Sequence, residues 1–197
     1  MFKFCPACAS DKICFEDGKV FRCPVCGFVY YHNIAAATGC IISVPCDGLA
    51  GDAPEAGGNS AGCKERIMFL VRGKEPATGK LDLPGGFVDI GESALEGLHR
   101  ELREEIGWAP SVPAGASLAG VYTLFASFHN VYPYKGIAYN TCDLYFHLCV
   151  PGLSEKDLVL EQAEVASVRF LRPEDIDYDE LAFDSTRRAV KAYLGVD

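Results

Sequence analysis

The chain has 197 residues, of which 49% are apolar and 23% are charged, and its formal net charge is −9 at pH 7. This is about one average domain with some residues to spare, and the apolar content suffices for a packed core. Disordered and fibrous classes are therefore excluded, and the acidic excess opposes broad electrostatic binding to duplex nucleic acid. The first residues lack the apolar core of a signal peptide, so we expect a reducing, cytoplasmic compartment.

Two C-x2-C pairs, Cys5/Cys8 and Cys23/Cys26, lie near the N-terminus with fourteen residues between them. Each pair can turn two thiolates toward one point, and two such turns complete the tetrahedral sulfur shell that suits Zn²⁺. A segment of about 33 residues is too small to be stabilised by core burial alone, so a metal would supply much of its folding free energy. We predict a zinc ribbon over residues 1–33, with a structural Zn²⁺, and a second domain over 34–197.

The segment 27–46 has no charged side chain and approaches the length of a membrane span. Polar residues and a proline interrupt it, and its β-branched residues favour a buried strand at 39–44 instead. We therefore expect no membrane contact. The next segment, 47–62, is rich in Gly and Ala and predicts a surface loop.

The rest of the chain is predicted to contain more strands than helices. We predict strands at 36–44, 65–72, 81–83, 120–127, 141–150 and 167–171, with an aromatic loop at 128–140. Helices are expected at 94–106, 173–176 and 185–194. The elements do not alternate regularly as βαβ units, which indicates an α/β fold with a mixed sheet flanked by helices.

The helix at 94–106 has clear boundary signals. Ser93 and Glu96 have the spacing of a capping box, in which each side chain satisfies an amide at the start of the helix. Gly107 suits the left-handed residue that ends a helix. An apolar stripe that should pack on the sheet is formed by Leu95, Leu98, Leu102 and Ile106.

A second face of this helix is acidic, because Glu101, Glu104 and Glu105 fall together at i, i+3 and i+4. Like charges at these spacings repel by about 0.2–0.5 kcal/mol per pair. One interpretation is a solvated acidic face moderated by the arginines of the helix. The other is a site for Mg²⁺ or Mn²⁺, since hard cations prefer carboxylate oxygens and bridge them to substrate phosphates.

Residues 86–108 decide between these interpretations. Gly86 is followed by five residues and Glu92, then by seven residues and the run Arg-Glu-Leu-Arg-Glu-Glu-Ile-Gly-Trp at 100–108. This arrangement resembles the Nudix box, G-x5-E-x7-R-E-U-x-E-E-x-G-U, in which the final aliphatic position is here Trp108. The resemblance favours the metal-binding interpretation.

The Nudix family hydrolyses nucleoside diphosphates linked to another moiety, on an α/β/α sandwich with a mixed sheet. By position, the resemblance implies that the ligands of Mg²⁺ or Mn²⁺ are Glu101, Glu104, Glu105 and the carbonyl of Gly86. It also implies a salt bridge between Arg100 and Glu92 that orients the catalytic carboxylates. Divalent ions lower the pKa of a bound water and neutralise charge on phosphate oxygens, so an acidic protein can accept a polyanion.

Nudix enzymes often use one further acid beyond the box. Glu164 precedes the last predicted core strand, as that pattern requires, so we favour it as a further ligand or as the catalytic base that takes the proton from water. Glu161 is the second choice. The alternative is that both are solvated loop residues.

A zinc ribbon directly before a Nudix domain is similar to the arrangement of NADH pyrophosphatases, some of which also remove NAD caps from RNA. Their S-Q-P-W-P-F-P-x-S motif is absent, and the corresponding region here is 127–140. Tyr132, Tyr134 and Tyr139 are candidates to stack on a base, and Lys135 to meet a phosphate. Alternatively, this segment packs on a partner subunit in a homodimer.

Three functional hypotheses follow. The first is a Mg²⁺-dependent pyrophosphohydrolase of a small nucleotide such as ADP-ribose or NAD(H). The second is a regulatory module that senses a nucleotide without turning it over, which the intact set of glutamates disfavours. The third is that the ribbon binds nucleic acid, including NAD-capped RNA. The four basic and three acidic residues up to position 35 form no basic stripe, which disfavours this hypothesis.

Overall fold

The structure is a computed structural model that describes residues 2–46, 65–113 and 115–196. The chain divides into two compact units, Met1–Ile34 and Ala35–Asp197. The predicted surface loop at 47–62 lies outside the described residues. Within the described ranges, every helix is too short or too polar to cross a bilayer.

The N-terminal unit is a small antiparallel sheet of three strands, β1 (Cys14–Glu16), β2 (Val20–Arg22) and β3 (Val29–Tyr31), in that order. Its centre is Phe21, which is 4% exposed and stacks on Phe15 with ring centroids 4.3 Å apart. Cys5 and Cys23 are the other buried residues of this core. So few buried side chains supply little hydrophobic stabilisation.

The described residues of the second unit form a sheet of six strands with one helix on each face. The strands are β4 (Ala35–Pro45), β5 (Glu65–Arg72), β6 (Leu81–Asp82), β7 (Thr123–Tyr134), β8 (Ile137–Cys149) and β9 (Val165–Leu171). The helices are α1 (Ala94–Ile106) and α2 (Asp184–Leu194). The strand order is β6-β5-β4-β8-β7, and β9 pairs with β5. Because β4 and β8 are parallel while the other pairs are antiparallel, the predicted mixed sheet is confirmed.

The two faces of the sheet are covered by different helices. Successive residues of β4 alternate between the two hydrophobic clusters, as the two-residue period of a strand requires. Cys40 and Ile42 pack in the cluster that contains Leu102 of α1, whereas Ile41 packs in the cluster that contains Val190 of α2. This is the three-layer sandwich expected from the sequence.

The prediction of an aromatic loop at 128–140 is wrong, because β7 and β8 form one long hairpin through this segment. The strands pair continuously from Thr123 opposite His147 to Tyr134 opposite Ile137, apart from one bulge. The turn consists of Lys135 and Gly136, with φ of 47° and 78°. Two residues with positive φ suit a two-residue hairpin turn. Pro133 is compatible with a strand here because β7 lies at the edge of the sheet.

Two smaller expectations also need correction. The strand predicted from residue 120 begins at Thr123, because Leu118–Gly120 form a short 3₁₀ turn. The helix predicted at 173–176 is a single 3₁₀ turn, Pro173–Asp175. Further 3₁₀ turns occur at Glu155–Asp157 and Tyr178–Glu180.

Candidate active site

A cavity of about 500 Å³ lies where α1, the loop 83–89 and strands β4, β7 and β8 meet. Its wall includes the three glutamates of the acidic helix face, Glu101, Glu104 and Glu105, together with Glu161 and Glu164. A cavity of this volume accommodates a ligand of nucleotide size. The structure therefore brings the predicted carboxylates to one concave surface.

Local interactions fix the start and end of α1 and so the direction of its glutamates. The Glu96 carboxylate accepts the Ser93 amide at 2.8 Å, and the Ser93 hydroxyl accepts the Glu96 amide at 3.3 Å. Gly107 ends the helix with φ of 62°. Leu98 and Leu102 are completely buried, which presses one face of α1 onto the sheet and leaves the acidic face toward the cavity.

Two consecutive glycines in the loop before α1 leave no free space for a side chain. Gly85 has φ of 142°, and a Cβ there would lie 2.2 Å from the Thr38 carbonyl oxygen. A Cβ at Gly86 would lie 2.6 Å from the carboxylate of Glu101. The Gly85 amide also donates to Glu105 Oε2 at 2.8 Å. The backbone of this loop therefore lies directly against two carboxylates of the helix.

The Gly86 carbonyl, one of the predicted ligands, is engaged by Thr38. It accepts the Thr38 amide at 2.8 Å and the Thr38 hydroxyl at 3.3 Å. The second of these bonds is long, so the hydroxyl is the more weakly held of the two partners.

Arg100 holds the carboxylates of the site together. Its Nε and Nη2 donate to the two oxygens of Glu92 at 2.8 and 3.0 Å, which is the salt bridge expected from the sequence. Its Nη1 donates to Glu101 at 2.8 Å and to Glu104 at 3.0 Å, and its Nη2 also donates to the Phe87 carbonyl at 3.0 Å. The hydrogen bonds from Arg100 lower the pKa of Glu92. One guanidinium thus orients three carboxylates and the loop.

Burial has the opposite effect on two of the helix glutamates. Desolvation raises the pKa of Glu105 well above its usual value, and it raises the pKa of Glu101 as well. Neighbouring carboxylates add to both shifts. Buried carboxylates close to one another favour the uptake of a cation, because a cation removes the cost of desolvating and crowding negative charges.

The cavity is strongly acidic. Among the described residues, its wall has eight carboxylate side chains, Asp82, Asp89, Glu101, Glu104, Glu105, Asp143, Glu161 and Glu164, against the three cations Arg72, Lys74 and Arg100. Arg72 bonds Asp82 at 2.9 Å and Lys74 is ion-paired with Glu164, so all three cations are paired with carboxylates. A polyanionic ligand would therefore need additional positive charge. Oxygen donors of this kind fit Mg²⁺ or Mn²⁺.

The four residues predicted to contact substrate occupy different places on the β7/β8 hairpin. Tyr132 lines the cavity. Tyr139 packs edge-on to Phe87, and the Lys135 ammonium lies 5.1 Å from the centre of the Tyr134 ring. Tyr134, Lys135 and Tyr139 are not among the residues that line the cavity.

Several lining residues were not anticipated from the sequence. They are Arg72, Asp82, Asn130, Thr141, Asp143, Phe183 and Thr186. No fixed spacing links them, because they come from β5, β6, β7, β8 and the start of α2. Alternation along β8 was the one available signal, since Thr141, Asp143 and Tyr145 fall on the same face of the strand.

The four cysteines of the N-terminal unit form a second candidate site. Their sulfur atoms all lie within 4.8 Å of one another, with Cys5 to Cys26 at 3.6 Å and Cys8 to Cys23 at 3.7 Å. Zinc–sulfur bonds of about 2.3 Å in a tetrahedron place sulfurs about 3.8 Å apart. The donor set and its spacing therefore fit Zn²⁺.

The NUDIX domain family model matches residues 61–193, about two thirds of the chain. The chain therefore belongs to the NUDIX family. The matched region contains the Nudix box, the cavity carboxylates named above, α1 and all but the last residue of α2.

Individual relatives match shorter segments. An ADP-ribose pyrophosphatase from Methanocaldococcus jannaschii is 43% identical over 58 residues, which cover 29% of this chain and 32% of that protein. The NAD-capped RNA hydrolase NudC from Chromobacterium violaceum is 30% identical over 105 residues, covering 53% of this chain and 32% of the relative. The chain thus matches about a third of the length of these curated relatives.

Solved structures share the fold at low sequence identity. A NUDIX hydrolase from Nitrosomonas europaea has a TM-score of 0.61 and 21% identity, covering 98% of this chain and 91% of that one. The NUDIX domain of Shewanella oneidensis NrtR, solved with ADP ribose, has a TM-score of 0.56 and 15% identity, covering 84% and 90%. These likenesses show that the predicted Nudix fold is correct.

Proposed function

We propose that this chain is a Mg²⁺- or Mn²⁺-dependent hydrolase that cleaves the P–O–P bond of a nucleoside diphosphate linked to another moiety, of the ADP-ribose or NAD(H) type. The observation that carries this proposal is the acidic cavity, whose described lining has eight carboxylates and three cations that are all paired with acids. Such a surface repels a diphosphate unless a divalent cation is bound between them. The ADP-ribose pyrophosphatase and NudC relatives support the substrate class.

In this proposal the metal-binding residues are Glu101, Glu104, Glu105 and the carbonyl of Gly86, and Glu164 is either a further ligand or the catalytic base. A divalent cation there would neutralise phosphate charge and acidify a bound water. Two ligands are already in fixed positions, because Arg100 bonds Glu101 and the Gly85 amide bonds Glu105. A site held in place in this way needs little rearrangement when substrate binds.

Arg100 and Glu92 act by positioning in this proposal. Glu92 is bonded through both of its oxygens, so it fixes the plane of the guanidinium, and the guanidinium in turn orients Glu101 and Glu104. Arg100 also donates to the Phe87 carbonyl, and this hydrogen bond fixes the position of the loop relative to α1.

Glu164 is the residue we favour as the proton acceptor from water. It lines the cavity, its side chain is 40% exposed, and Lys74 is ion-paired with it. A carboxylate that is accessible to water and held by a cation can accept a proton and return it to solvent. Loss of turnover in Glu164→Gln with unchanged Mn²⁺ affinity would indicate a base, whereas weakened Mn²⁺ binding would indicate a ligand.

The N-terminal unit is proposed to be a zinc ribbon over residues 1–33, followed by the Nudix domain over 34–197. The spacing of the four sulfur atoms supports a structural Zn²⁺. The match to NudC, described as an NAD-capped RNA hydrolase, makes NAD-capped RNA a second candidate substrate.

A substrate panel tests the proposal. The full chain is incubated with Mg²⁺ and ADP-ribose, NADH, NAD-capped RNA, a dinucleoside polyphosphate or a nucleoside triphosphate, and the products are separated by chromatography. We expect cleavage between the two phosphates of ADP-ribose or NADH. Binding of these nucleotides without turnover, at any pH or with either metal, would instead identify a regulatory module and refute the enzymatic proposal.

A further inference from the structure

The three cations among the described residues of the cavity wall differ in how firmly they are held. Arg100 makes five hydrogen bonds, and its side chain is 25% exposed. Arg72 donates to Asp82 at 2.9 Å and to a backbone carbonyl at 2.8 Å, and its side chain is 14% exposed. The ammonium of Lys74 is ion-paired with Glu164, and its side chain is 46% exposed. Because an exposed ion pair contributes little free energy, Lys74 is the cation of this wall that changes partners most easily.

The main chain of Lys74 is fixed beside the acidic wall of the cavity. The preceding residue, Gly73, donates its amide to the Glu164 carbonyl at 2.7 Å. A Cβ at Gly73 would lie 3.1 Å from the main chain of Glu164, so the two segments are in close contact. The lysine side chain, by contrast, is a flexible four-carbon stem that ends in three N–H donors. Its ammonium can therefore turn from one partner to another without movement of the backbone.

The ammonium of Lys74 also lies near the carboxylates proposed to bind the metal. Lys74, Glu105 and Glu164 line one small recess beside the main cavity. Desolvation raises the pKa of Glu105, and the charge of Glu164 adds to that shift, so the two carboxylates interact. A divalent cation held by these carboxylates would bring phosphate oxygens to this part of the cavity. The diphosphate of a substrate would then lie on the side of the cavity where Lys74 is located.

We propose that Lys74 is a substrate-binding residue whose ammonium leaves Glu164 when the substrate binds and donates a hydrogen bond to a phosphate oxygen. This inference rests on the proposed function and adds to its site a side-chain cation that contacts the diphosphate directly. A phosphate oxygen accepts a strong, charge-assisted hydrogen bond from an ammonium group. Departure of the ammonium also leaves the Glu164 carboxylate open for either of the two roles proposed for it above.

The test measures kcat and KM for ADP-ribose at saturating Mg²⁺ in Lys74→Met, which keeps most of the stem and removes the charge. We expect KM to rise about 5- to 50-fold, the range for a charge-assisted hydrogen bond at a partly exposed site, with kcat within about threefold of wild type. Lys74→Arg, which keeps the charge, should return KM to within about fivefold of wild type. Lys80→Met is the matched control and should keep the wild-type KM, because the Lys80 ammonium donates to the Asp179 carbonyl and is not among the groups that line the cavity.

The outcomes separate this inference from the proposed function. A fall in kcat that exceeds the rise in KM would show that Lys74 only positions Glu164, and would overturn its contact with the substrate. Unchanged kcat and KM in Lys74→Met would also overturn that contact and leave pyrophosphate hydrolysis intact. Lys74→Gln is a second neutral variant, used if Lys74→Met does not fold.

Binding measurements keep the role of Lys74 testable if the proposed function fails. Binding of ADP-ribose to the wild-type chain without turnover would refute the proposed function. The Kd from calorimetric titration of the same variants would then replace KM, with the same expected 5- to 50-fold rise, about that of a charge-assisted hydrogen bond. Equal Kd values for the wild-type chain and Lys74→Met would overturn the role of Lys74 as well.

Discussion

Replacing Arg100 with lysine retains the positive charge and removes the planar fork. In the structure the guanidinium makes five hydrogen bonds, to Glu92, Glu101, Glu104 and the Phe87 carbonyl. Lysine has three donors, so at least two bonds are lost. A hydrogen bond to a charged group contributes about 1.5–3 kcal/mol, and partial exposure with local rearrangement reduces the combined loss to about 1–3 kcal/mol. We therefore expect kcat/KM of Arg100→Lys to fall about 5- to 150-fold.

The assay is Mg²⁺-dependent release of nucleoside monophosphate from ADP-ribose, followed by chromatography at saturating metal. Arg103→Lys is the matched control, because Arg103 lies on the same helix with an exposed side chain. Circular dichroism melting of both variants separates loss of the site from loss of the fold. Equal kcat/KM in Arg100→Lys and Arg103→Lys would refute the assignment of Arg100 as the residue that orients the carboxylates.

Three further predictions concern the loop, the N-terminal unit and pH. Gly86→Ala, whose Cβ would lie 2.6 Å from the Glu101 carboxylate, should lower kcat about 100-fold without loss of helical signal, and wild-type kinetics would contradict the close approach. Cys23→Ser should reduce bound zinc, measured by mass spectrometry, from about one ion per chain toward zero, whereas Cys14→Ser, outside the sulfur cluster, should retain it. Glu92 has a lowered pKa in the folded state, so its stabilising effect is complete above its usual value of 4.5 and is lost as pH falls below it. The difference in Tm between wild type and Glu92→Gln should therefore shrink from about pH 6 to about pH 3, and a constant difference would contradict the ion pair.

Local signals explain why the helix of the site could be predicted from the sequence. Three signals act within a few residues of one another: the capping box at Ser93, the apolar stripe and the glycine at position 107. The bounds of the helix and its acidic face can therefore be predicted without knowledge of tertiary contacts. The same holds for the Glu92 and Arg100 pair, whose spacing brings the two side chains together across a single loop and turn.

Interactions between distant segments explain what could not be predicted. Asp143 and Ser185 are 42 residues apart in sequence, and they meet only because α2 packs on the sheet that contains β8. Phe183 likewise reaches Tyr132 only after the fold is complete. The hairpin is hard to predict for a local reason, since Pro133 lies within β7 and the non-glycine residue Lys135 adopts positive φ in the turn.

The measurement that tests the central claim most directly is hydrolysis of ADP-ribose by the wild-type chain and by the Glu104→Gln/Glu105→Gln double variant, each with Mg²⁺ and with excess chelator. Both residues line the acidic cavity, so their loss should remove metal-dependent chemistry while the core contacts of α1 remain. We expect AMP and ribose 5-phosphate to form only with the wild-type chain and Mg²⁺. Hydrolysis that persists in the double variant, or in the wild-type chain with chelator, would contradict a metal-dependent site on this helix.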